Sequence, residues 1–129
     1  MSKKIILSKR GQGATAEKIA LHYLEHHGLR LIERNFHCKL GELDLIMRDG
    51  THLVFVEVRS RSSVRFGRPV ETVAHHKQQR LLRSAAFYLQ KHRLDLPCRF
   101  DIIGISPHSD SVQADSVQVE WIKDAFQAF

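Results

Sequence analysis

Residues 41–61 read GELDLIMRDGTHLVFVEVRSR, two alternating segments that meet at Asp49-Gly50. Alternation of this length belongs to strands with one apolar and one polar side. An Asp-Gly pair is favoured in the two-residue type I′ turn, where both central residues need positive φ. The stretch therefore predicts a tight antiparallel hairpin. With Asp49 and Gly50 as the turn, Arg48 stands opposite Thr51 and the register follows. Leu43 faces Val56 and Leu45 faces Val54 on one side; Ile46 faces Leu53, Asp44 faces Phe55 and Glu42 faces Glu57 on the other.

The second side carries three acids. Directly opposed residues have Cβ atoms roughly 4.5–5.5 Å apart and diagonal ones roughly 7–8 Å. Glu42 is thus expected straight across from Glu57, and Asp44 diagonal to it. Like charges so placed on a half-buried sheet repel, and a chain that keeps them either protonates some or supplies a cation. A cation is the simpler answer. Asp44 and Glu57 are the candidate ligands, and oxygen donors with room for several waters suit Mg²⁺ or Mn²⁺. Arg59, two residues beyond Glu57, projects from the same side.

An acid on one strand, then Glu-x-basic on the next across a short hairpin, resembles the PD-(D/E)XK nuclease superfamily. GELDLIMRDG followed by VFVEVRSR is more specifically similar to the YraN-like bacterial family, placed near the Holliday-junction resolvases within that superfamily. The likeness runs from about Gly11 to about Ile105. It implies a restriction-endonuclease-like αβββαβ core and metal-dependent phosphodiester hydrolysis. Asp44, Glu57 and a backbone carbonyl at Val58 would hold the ion, with Asp44, Glu57, Arg59 and Glu17 as the catalytic set. Glu42, Lys77 and Gln78 form a second tier, the last two because resolvase-like nucleases often place Lys or Gln at that point to position water or phosphate. At position 59 the chain departs from the superfamily's usual Lys, although some YraN-like chains also carry Arg there. Arginine does not give up its proton, so only an electrostatic role is open to it.

The whole chain agrees with such a partner. Its 129 residues make one domain, residues 1–129, with residues 1–10 a basic and flexible lead. Twenty Lys and Arg against fourteen Asp and Glu leave a net charge of +6, and a pI of about 9.7 points to a polyanion, with DNA the first candidate. Cys38 and Cys98 stand far apart with no CxxC, which indicates neither a zinc site nor a disulfide framework. The N-terminal apolar run is three residues, too short for a signal peptide or membrane span, so a cytoplasmic location is expected.

Taken in order, Ala16, Ile19, Ala20, Tyr23 and Leu24 predict a helix over about 12–27, with Gly28 as its C-cap. Glu17 borders the apolar stripe of that helix. Residues 29–36 predict the first strand, with Asn35 capping the turn into the hairpin. The connection 62–74 contains Arg65 and Arg68, which with Arg61, Lys77 and Arg80 are the expected nucleic-acid contacts. Residues 75–92 predict a second helix with Leu81, Leu82, Ala85, Tyr88 and Leu89 inward. Residues 98–105 predict a central strand in which Asp101 is a partner for an Arg or a helix end. An edge strand over 117–122 and a short amphipathic turn at DAFQAF, a candidate dimer contact, complete the chain. The order gives a mixed α+β domain with its fourth core strand returning parallel.

Two functions fit this reading. The first is a Mg²⁺-dependent endonuclease on branched or otherwise structured DNA; the second is a non-hydrolytic nucleic-acid-binding module on the same fold. A two-fold dimer would suit a branched substrate, though nothing along the chain demands it.

Overall fold

The computed structural model describes residues 5–6, 12–60, 74–107 and 116–127. The elements are β1 (Ile5–Ile6), α1 (Gln12–His26), β2 (Arg30–Cys38), β3 (Gly41–Asp49), β4 (His52–Ser60), α2 (His75–Lys91), β5 (Cys98–Pro107) and β6 (Ser116–Phe126). They build one six-stranded mixed sheet in the order β1-β6-β5-β4-β3-β2. Among the described strands only β4 and β5 pair in parallel, because α2 lies between them in sequence and carries the chain back across the sheet. The α1-β2-β3-β4-α2-β5 core is the restriction-endonuclease-like order.

Each helix covers one face. The α1 stripe Ala16, Ile19, Ala20, Tyr23 and Leu24 packs with Leu45, Met47, Val54, Val56, Ile103 and Ile105. On the other side Leu81, Ala85 and Tyr88 of α2 pack with Phe36, Leu43, Ile46, Leu53, Phe55 and Phe100. Covered on both sides, the centre of the hairpin is apolar on both sides, and Leu45, Ile46, Met47 and Val54 have no exposed surface. Among the described residues no helix is long and apolar enough to cross a membrane.

The hairpin differs from the expectation in its turn. Leu45 stands opposite Val56, Met47 opposite Val54 and Asp49 opposite His52, so the two turn residues are Gly50 and Thr51. Of the turn residues and Asp49, only Gly50 has positive φ, +61°. Positive φ at the first central position alone is the type II′ pattern, which calls for glycine there. The change slides the strands by two positions, which preserves the alternation of faces. Its effect falls at the far end: Leu45 and Val56 are the last paired residues, and Asp44 and Glu57 are the residues that follow them on the two strands, so the slide brings them closer than the diagonal placement expected. Leu43 is a second correction. It packs with Phe36 on the α2 side, not with Leu45, because the β3–β4 pairing ends at Leu45 while β3 stays paired with β2 down to Gly41.

Three smaller expectations also change. Asn35 lies inside β2 with φ +53°, and the turn into β3 is made by Lys39 and Leu40. Of the segment DAFQAF, Asp124 to Phe126 belong to β6 rather than to a separate turn, and the Phe126 ring stacks on Phe100 with centroids 4.9 Å apart, while Ala128 and Phe129 lie outside the described residues. Within the N-terminal lead, Ile5 and Ile6 pair with Val117 and Ser116, so β6 is flanked on both sides. Lys3, Lys4, Lys9, Arg10 and the connection carrying Arg61, Arg65 and Arg68 lie outside the described residues.

Asp101 proves to be a structural acid. Its buried carboxylate accepts from the Arg99 guanidinium at 3.0 Å, the Trp121 indole N–H at 3.0 Å and the Asp124 amide at 2.9 Å. Arg99 also reaches Asp49 at 2.9 Å, which ties the hairpin's turn end to β5.

Gly41 shows how closely α2 approaches the sheet. Its φ is +147°, and a Cβ there would stand 3.1 Å from Ser84 Oγ, a fully buried hydroxyl without a partner among the described residues. Gly41→Ala combines backbone strain with a collision and is expected to cost about 2 kcal/mol. Urea denaturation checks this; a loss under about 0.5 kcal/mol would show that the turn adapts.

Candidate metal and nucleic-acid site

The site forms where β3 and β4 stop pairing. Beyond Leu45 the β3 backbone no longer bonds to β4, and the Asp44 side chain enters the gap, where its Oδ2 accepts the Val58 amide at 2.8 Å. An N–H and C=O of one strand residue leave on the same edge, so the Val58 carbonyl is directed to this side too. Glu57, in the next position on β4 and only 7% exposed, turns toward α2.

The two acids converge. Burial first, then the Glu57 charge and a hydrogen bond between the two side chains, push the Asp44 carboxyl up to about 7; the Val58 amide pulls the other way. Glu17, half-buried near the start of α1, adds a like charge that reaches Asp44. Its electrostatic influence is therefore felt, although it does not line the pocket.

Asp44, Glu57 and Val58 share a pocket of about 330 Å³ with Gly41, Glu42, Lys77, Arg80 and Leu81. One wall is acidic and comes from the hairpin; the other is basic and comes from α2. Lys77 Nζ lies 2.5 Å from Glu57 Oε2, joining them. Arg80 lies across the β2–β3 turn, its guanidinium 3.8 Å from where a Gly41 Cβ would stand. Glu42 is on the exposed rim, 3.2 Å from His37 Nδ1, and is not opposite Glu57 as its expected register had it. Arg59 is half-buried on the face of Glu57 and Gln78 half-buried in the first turn of α2, but neither lines the pocket. The Lys77–Glu57 contact is the feature the sequence reading did not contain. A lysine expected at the site and an acid expected to need a cation were both visible, but not that they pair.

Could this arrangement hold a divalent ion? Among the described residues no three His, Cys, Asp or Glu side chains form a ready cage. Magnesium does not require one, since it keeps several waters and binds through one or two carboxylates. Two convergent carboxylates, one holding a lysine ammonium as a stand-in cation, fit that chemistry. The holders would be Asp44, Glu57 and the Val58 carbonyl.

The raised Asp44 pKa has a consequence for stability. A folded value near 7 lies above the ordinary 3.8, so the folded state binds the proton more tightly than the unfolded one. The resulting stabilisation is complete below about pH 4 and is lost as pH rises through about 7. Discounted for the partial exposure of the group, the loss is expected to be about 2 kcal/mol. Asp44→Asn should accordingly be more stable than the wild type by that amount at pH 8 in EDTA, with the difference vanishing near pH 4. Urea melts across this range check it, and a difference independent of pH would contradict the placement of Asp44.

Comparison with known proteins agrees with the motif. Residues 16–105 match the profile of Uncharacterised protein family UPF0102. A UPF0102 protein of Legionella pneumophila is 43% identical over 119 residues, covering 91% of this chain and 95% of that one. Another, from Chromohalobacter salexigens, is 46% identical over 123 residues, covering 93% and 94%. Among solved structures, Pyrococcus furiosus SfsA, determined in complex with Ca²⁺, superposes with a TM-score of 0.39 at 17% identity, over 91% of this chain and 64% of that one. The chain belongs to the UPF0102, or YraN-like, family.

Proposed function

We propose that this protein is a metal-dependent endonuclease acting on branched or otherwise structured DNA. The observation that carries the reading is the meeting of Asp44 and Glu57 at the open end of the hairpin, in a pocket whose facing wall is Lys77 and Arg80. Asp44, Glu57 and the Val58 carbonyl hold Mg²⁺ or Mn²⁺. When bound, such an ion lowers the pKa of a coordinated water and offsets charge on the scissile phosphate. Lys77 and Arg80 bind the sugar-phosphate backbone and orient it against the acids. Arg59 stays protonated and acts on charge alone, so a proton leaving the attacking water has to be taken elsewhere. A net charge of +6 draws the polyanion to the protein.

A second reading is supported by the residue at position 59. With Arg where a lysine amine usually stands, the same fold serves as a binding module in which the acids form a cation-stabilised structural cluster. Incubation with junction, flap and duplex DNA in Mg²⁺ and in Mn²⁺ separates the two. Cleavage of a branched substrate is the expected result. Binding without cleavage, with affinity falling steeply as salt rises, would select the binding module instead.

A further inference from the structure

We propose that Lys77 is the resident cation of this site: in the ion-free protein its ammonium stands in for the divalent ion at Glu57, and ion loading releases it toward Arg80, where the two side chains together receive a phosphate. The inference rests on the metal reading above and deepens it by making ion binding and phosphate binding one linked event.

The geometry sets up a competition. Lys77 Nζ sits 2.5 Å from Glu57 Oε2, while a coordinated Mg²⁺ lies about 2.1 Å from its oxygen ligands. One carboxylate in a narrow pocket does not serve both cations at full strength. The two partners differ in freedom: the Glu57 side chain is 8% exposed and fixed in the strand, whereas Lys77 is 47% exposed on a flexible four-carbon stem. Lysine is therefore the member that moves.

Its destination is on the same helix. Arg80 is three residues on, so both side chains leave one face of the first turns of α2, and both line the pocket. The Arg80 guanidinium stands across the rim, 3.8 Å from the Gly41 Cβ position. While Lys77 neutralises Glu57, a phosphate entering the pocket meets Arg80 as the one uncommitted cation among the described lining residues. Once an ion replaces the ammonium, it meets two cations that line the same pocket. By linkage, each ligand then strengthens the other.

Three measurements on the full chain test this. Calorimetric titration with Mn²⁺ should give Lys77→Met and Lys77→Gln about five- to tenfold tighter binding than the wild type, because the competing cation is gone. Affinity for a fluorescein-labelled DNA duplex, read by anisotropy with Ca²⁺ against EDTA, should rise at least fivefold in the wild type and less than twofold in Lys77→Met. In the wild type itself, acylation of Lys77 by a water-soluble amine reagent, followed by mass spectrometry with Lys91 as internal reference, should become several-fold faster when Mg²⁺ is added. The last readout does not depend on a variant folding. A wild type that binds Mn²⁺ no more weakly than either variant overturns the resident-cation role and leaves the metal reading standing. An unchanged Lys77 acylation rate, or an equal gain in duplex affinity in both proteins, overturns it likewise. Absence of Mn²⁺ binding in the wild type removes both readings together.

Discussion

Asp44→Asn is expected to lose Mg²⁺-dependent cleavage of branched DNA by at least about a thousandfold, equivalent to roughly 4 kcal/mol of transition-state stabilisation, while keeping the wild type's ion-free affinity for the same DNA, measured in EDTA. The two halves of the result have different causes. Asp44 is a proposed ion ligand, and an amide oxygen in its place donates without charge, so the ion is held weakly and the water it would activate stays neutral. The amide still accepts the Val58 N–H, the bond that fixes position 44 at 2.8 Å in the wild type. It also removes a carboxyl pushed up to about 7 by burial beside Glu57, so the variant remains folded and the pocket becomes less repulsive to phosphate. Gel-based cleavage and anisotropy on one junction substrate check both. Undiminished cleavage would exclude Asp44 from the reaction, and equal loss of binding and cleavage would point to a structural collapse.

The largest expected effect on stability lies away from the pocket. Asp101→Ala is expected to cost about 3 kcal/mol or more and to lower Tm by roughly 10 °C. Its carboxylate is 1% exposed and is met by a guanidinium, an indole N–H and a backbone amide. Truncation leaves Arg99, whose side chain is 15% exposed, with half of its pairing lost. A largely buried charge left half-paired is the costly element, so Arg99→Met added to Asp101→Ala should recover part of the loss. Calorimetric melting decides the matter. A loss under about 1 kcal/mol, or no recovery in the double variant, would mean that solvent reaches this network.

The contrast between these two acids shows how far the sequence could be read. Both interrupt apolar runs, and Asp101 was legible as a partner for an Arg because Arg99 lies on the same strand face two residues away. The helices and strands were legible because period-3.6 and period-2 patterns are strong between residues 12 and 105. The faces survived even though the register did not. A slip of two positions leaves every side chain on its own side, so alternation carries no information about which turn is made, and the Asp-Gly preference outweighed the Gly-Thr turn that forms. Leu43 changed sides because the pairing of β3 with β4 ends before it, a fact set by tertiary packing around Asp44. The Lys77–Glu57 pair joins residues twenty positions apart through the crossover, and no local pattern encodes it. Ile5–Ile6 and the end of β6 were missed for the opposite reason: two-residue pairing and a strand closing with Asp124 in the left-handed region carry too little pattern.

The proposed function stands on Asp44 and Glu57 sharing one divalent ion. The most direct measurement is a calorimetric Mg²⁺ and Mn²⁺ titration of the wild type against Glu57→Gln, at a pH above 7 where Asp44 is ionised. Saturable binding of one ion per chain is expected in the wild type, and its loss in the variant. Equal binding by the two proteins, or none by the wild type, would contradict it.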